Sequence, residues 1–129
     1  MKSNLFDSFA HTVENLPAKA IIPTLKRIGR MLEEDMVFQR QVPFDEATSI
    51  LSFCKFVNGV RSGNPGGHMQ QLVPTKHFEF YGQTMDRLID AQELPAGARL
   101  EMDRQQERAL QKAAALFDAK QEMCGWEGR

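Results

Sequence analysis

The segment from Asp45 to Arg61 constrains this chain more than any other. Ala47, Ile50, Leu51, Phe53, Cys54, Phe56, Val57 and Val60 fall between Asp45, a good helix N-cap, and the break Ser62-Gly63-Asn64-Pro65-Gly66-Gly67. Wound into a helix, these apolar positions cover more than half the circumference, and a helix that is apolar on so many sides has to be surrounded. The sequence therefore predicts one central helix with others packed around it.

Four further stretches supply those neighbours. Leu5, Phe6, Phe9, Val13 and Leu16 recur at helical spacing after Ser3, a candidate N-cap, until Pro17 interrupts. From Ala20 to Arg40, the residues Ile21, Ile22, Leu25, Ile28, Leu32 and Met36 fall within an arc of about 120°. Gly29 lies in the same arc, where a missing side chain lets a second helix backbone approach, and Pro23 is compatible only with the first turn. Phe78, Tyr81, Met85, Leu88 and Ile89 mark a fourth helix opening near Pro74 and Thr75 and ending by Gln92.

The fifth stretch runs from Ala98 to Met123 and divides in two. Leu110, Ala113, Ala114 and Phe117 define an inward face, but the same face followed backwards reaches Gln106 and Asp103, so the first half is read as lacking a core stripe. The expected fold is all-α: an antiparallel helical bundle of four main helices plus a short N-terminal helix, forming a single domain over residues 1–129.

Charge and composition narrow the function classes. With 16 Lys and Arg against 17 Asp and Glu, the net charge of −1 gives no general attraction to phosphate backbones or anionic lipid, and no nucleic-acid partner is expected. No apolar run approaches the roughly 20 residues of a bilayer crossing, and the first residues lack the apolar stretch of a secretion signal. Cys54 and Cys124 lack paired spacing, which fits a reducing, cytoplasmic setting, and Cys54 reads as a small packed hydrophobe. Lys19, Lys26 and Arg30 form a basic stripe opposite the apolar face of the second helix. Glu33 and Glu34 lie within a turn of Arg30, so that face is read as solvated and locally ion-paired.

No phosphate-binding or dinucleotide glycine pattern is present, and no cofactor is expected. The most site-like region is polar: Arg61, Asn64, His68 and His77 around the glycine-rich loop form a candidate ligand site. His68-Met-Gln-Gln-Leu-Val-Pro resembles a histidine stretch of the hemerythrin-like proteins, but Leu72 replaces the ligating Glu and Gly67 the paired His. The metal set read from this chain is instead His68, His77 and Glu79, with His11 as a possible fourth. The Arg61 and His68 pair resembles the Arg and His motif of the HEPN ribonucleases, with Pro65, Gly66 and Gly67 standing where that family keeps a helix.

Met31 and Met102 fall outside the main apolar arcs of their helices, and methionine suits adaptable contact surfaces. Arg99, Met102, Gln106 and Trp126 are therefore the candidate interaction surface. The expected function is a small interaction or accessory module that self-associates or engages another protein, with no assembled catalytic centre. The alternative is a metal- or small-ligand-binding bundle, an enzyme included, built on the Arg61–His68 loop and His77.

Overall fold

The computed structural model describes residues 5–38, 44–63 and 73–127, with the side chains of 35–38, 44–45, 113 and 116–127 outside that description. Five helices follow one another: α1 (Leu5–Glu14), α2 (Ala18–Phe38), α3 (Phe44–Arg61), α4 (Thr75–Asp90) and α5 (Ala98–Glu127). No strand occurs among the described residues, so the molecule is an all-α bundle. Ser3, the expected cap of the first helix, lies outside the described residues.

α3 is the centre. Between positions 46 and 60 only Lys55 and Asn58 are exposed, and Phe53, Phe56, Ile50 and Val57 are almost wholly removed from solvent. Each such side chain contributes about 1.5–3 kcal/mol relative to exposure, which explains why the most continuously apolar segment occupies the middle. All five helices send residues into the same core cluster, from Phe9 and Val13 of α1 to Ala98 and Met102 of α5.

Side-chain pairing fixes the directions. Ser49 meets His77 and Tyr81, and Phe53 stacks on Tyr81, so α3 and α4 run side by side in the same sense. Phe6 meets His77 while the carbonyls of Val13 and Leu16 meet Arg87, which aligns α1 with them as well. The short connections α1–α2, α2–α3 and α4–α5 reverse the chain, so the antiparallel arrangement holds for those pairs. The α3–α4 pair departs from it, because the contacts of Ser49 and Phe53 with His77 and Tyr81 set those two helices in the same sense.

Pro23 sits in the sixth position of α2 rather than in its first turn. Its ring faces solvent, and the Lys19 carbonyl it cannot serve belongs to an exposed residue that water can reach. The larger correction concerns α5. Its first half does carry a core stripe, made of Ala98, Met102 and Gln105 with Ala109 packed alongside, and the stripe lies against α4. Met102, expected at the surface, is 1% exposed, whereas Leu110, expected inside, is 46% exposed. Tertiary packing selected a face about 100° away from the one hydropathy marks.

Candidate functional site

His77 lies in the first turns of α4 and is 2% exposed. Its Nδ1 is 2.8 Å from Ser49 Oγ, which is in turn 2.6 Å from the Tyr81 hydroxyl. Both hydroxyl hydrogens find an acceptor when Tyr81 donates to Ser49 and Ser49 donates to Nδ1, an arrangement that puts the imidazole proton on Nε2. Phe6 of α1 lies flat on the imidazole, with 3.6 Å between ring centroids and 1° between the planes. Burial pushes the His77 pKa below its ordinary value, Lys76 lowers it further, and Glu46 and Asp7 oppose the shift. Burial likewise pushes the Tyr81 phenol upward. The ring is enclosed, neutral and hydrogen-bonded, which is the chemistry of a core anchor.

This placement sets His77 apart from the described members of the sites expected around it. Arg61 is exposed at the end of α3, 12 residues beyond the Ser49 that touches His77, a separation of about 18 Å along the helix. Glu79 is exposed while His77 is buried, so the two do not converge on a common ion. His11 is exposed on α1 beside Asn15. Asn64 and His68 lie outside the described residues. Among the described residues no three metal-ligating side chains come together.

Two regions of the surface stand out instead. The first is α5 beyond its packed half. Of the residues from Leu110 to Ala115 whose side chains are described, every one is exposed. At 1.5 Å per residue, the 30-residue α5 extends about 45 Å and the 16-residue α4 it packs on about 24 Å, so α5 continues past the described helix that supports its first half. Of the candidate interaction residues, Met102 is in the core. Arg99 lies across Gly82, donating to its carbonyl at 2.9 Å and pairing with Asp86 at 2.7 Å and Asp103 at 3.1 Å. Gln106 is half-buried, and the side chain of Trp126 lies outside the described ones.

The second region is a groove of about 340 Å³ between α2 and α3. Gly29 lies in it: a Cβ there would stand 3.3 Å from the Cys54 Cβ, so the two helices approach closely at this point. Cys54 is a buried free thiol, and burial pushes its pKa up to about 12, which keeps it protonated and unreactive. The sequence did not reveal this groove, although Gly29 was its one local signal.

No protein-family model, no curated protein and no solved structure matches this chain.

Proposed function

We propose that this chain is a small protein-interaction module that self-associates through the exposed stretch of α5. The observation that carries the reading is the overhang: a long helix continues past the element it packs on and carries Leu110, 46% exposed, where it leaves the body. A single helix in water is held by little besides its own hydrogen bonds, and most helical stability in proteins comes from packing an apolar face. The sequence series Leu110, Ala113, Ala114 and Phe117 supplies such a face at helical spacing. A second copy presenting the same series gives a two-fold, self-complementary contact. The buried thiol of Cys54 suits a reducing, cytoplasmic setting.

Size-exclusion chromatography with light scattering tests this. The parent chain is expected to run as a dimer in the micromolar range, and Leu110→Lys, which alters an exposed position, is expected to run as a monomer with an unchanged helical circular-dichroism spectrum. A parent chain that stays monomeric at millimolar concentration would overturn the reading.

A further inference from the structure

The groove between α2 and α3 carries an inference that is separate from self-association. Its floor is apolar, formed by Leu25, Gly29, Leu51 and Cys54. Its rim is cationic: Lys26, Arg30 and Lys55 border it against one carboxylate, Glu33, with the Asn58 amide beside them. The sequence suggests that Glu33 serves Arg30 on its own helix, but Glu33 reaches across to Lys55 at 3.3 Å. Lys26 and Arg30 have no ion pair among the described residues. In a chain with a net charge of −1, a concave surface whose rim carries three cations to one carboxylate, two of those cations without an ion pair among the described residues, is a local departure.

Those features select a ligand class. Lys26 and Arg30, a helical turn apart, together attract one anionic head, and Arg30 adds a planar fork that matches carboxylate or phosphate oxygens. Leu25, Leu51 and Cys54 among the lining residues give an apolar body something to lie against, and the volume falls at the lower end of small-molecule sites. A nucleic-acid backbone fits less well, because Glu33 stands on the rim and Glu34 is exposed just beyond it. We propose that the α2–α3 groove binds a small amphiphile, an apolar chain or ring ending in a carboxylate or phosphate, with Arg30 and Lys26 holding the head and Gly29, Leu51 and Cys54 receiving the body.

Titration of the isotope-labelled full chain with octyl phosphate and with octanoate, followed by amide NMR shifts, tests the assignment. At least one is expected to saturate, with shifts centred on Gly29, Arg30, Cys54 and Asn58. Inorganic phosphate and 1-octanol, which carry the head and the body alone, are expected to bind at least tenfold more weakly. The exposed pair of changes Lys26→Glu and Arg30→Glu is expected to weaken binding by tenfold or more, and the milder Arg30→Gln by about threefold, with folding verified by circular dichroism. The proposal fails if neither amphiphile saturates, if the shifts centre elsewhere, if octanol or phosphate alone binds as tightly, or if charge reversal leaves affinity unchanged. All of these measurements apply equally to the Leu110→Lys chain, so their outcome is independent of its oligomeric state.

Discussion

Phe6 lies face to face on His77, so the first turn of α1 forms one wall of the only buried imidazole among the described residues. The same turn is tied to α3, because Glu46 Oε1 accepts the Phe6 backbone N–H at 2.8 Å, a donor that the start of a helix leaves without an internal partner. The cluster joins α1, α3 and α4 at one end of the bundle, and its hydrogen bonds depend on a neutral ring.

That dependence predicts a pH response. The folded-state pKa of His77 lies below the ordinary histidine value, chiefly because the ring is buried, so the unfolded chain binds a proton that the folded chain refuses. Its contribution is complete above about pH 6.5 and is lost as pH falls from there through the lower folded value. A proton on Nδ1 would also turn that nitrogen from acceptor to donor and so deprive the Ser49 hydroxyl of the acceptor it has there. Urea unfolding of the parent and of His77→Asn between pH 7.5 and 5.5 measures this. The parent is expected to lose stability over that range by up to about 1.4 kcal/mol per pH unit more than the variant. Parallel pH profiles would refute the assignment.

The other end of α1 is held by Arg87 of α4, which donates to the Val13 carbonyl at 3.0 Å and to the Leu16 carbonyl. These acceptors lie at and just beyond the C-terminal end of α1, where the helix dipole is negative, so a cation belongs there. Arg87→Ala is expected to cost about 1–2 kcal/mol, and Arg87→Lys less, because one ammonium keeps the charge but not the two-pronged reach. Hydrogen exchange gives the discriminating readout: α1 amides should exchange faster relative to those of α3.

How far the sequence could be read depends on how local each cause is. α3 was legible because its apolar side chains are continuous around the helix, and burial follows from that without knowledge of the neighbours. α5 was not, because Ala98 and Gln105 carry almost no hydropathy signal and only the surface of α4 decides that they face inward. His77 was singled out by residue type, yet its role is set by Ser49 and Phe6 on other helices, and nothing near it in sequence announces them. Glu33 failed for the same reason: proximity in sequence pointed to Arg30, while packing brought Lys55.

Gly29 supports a prediction about packing. An alanine there gains about 1 kcal/mol of helix propensity, but its Cβ would press on the Cys54 Cβ at 3.3 Å, and overpacking of that kind costs about 1–3 kcal/mol. Gly29→Ala is therefore expected to be net destabilising in thermal unfolding. Cys54→Ala should not rescue it, since the closest atom is retained, whereas the penalty of Gly29→Ala should shrink in a Cys54→Gly background. A gain in melting temperature from Gly29→Ala alone would show that the helices separate without cost.

The end of α4 gives the last prediction. Gln92 has a φ of 61°, in the left-handed region, and its N–H donates to the Ile89 carbonyl at 2.9 Å while that of Glu93 donates to the Leu88 carbonyl at 2.8 Å. This is the paired closure that usually places glycine at the left-handed position, and Leu94, 4% exposed, packs into the core just beyond it. A side chain in that conformation costs roughly 1 kcal/mol, so Gln92→Gly relieves strain while keeping both hydrogen bonds. The expected result is a stabilisation of about 0.5–1 kcal/mol, or roughly 2–4 °C in melting temperature. Gln92→Ala should bring no comparable gain and Gln92→Val should be destabilising, because a β-branched residue tolerates a positive φ least. If glycine and alanine behave alike at this position, the turn after α4 does not hold the left-handed conformation in solution.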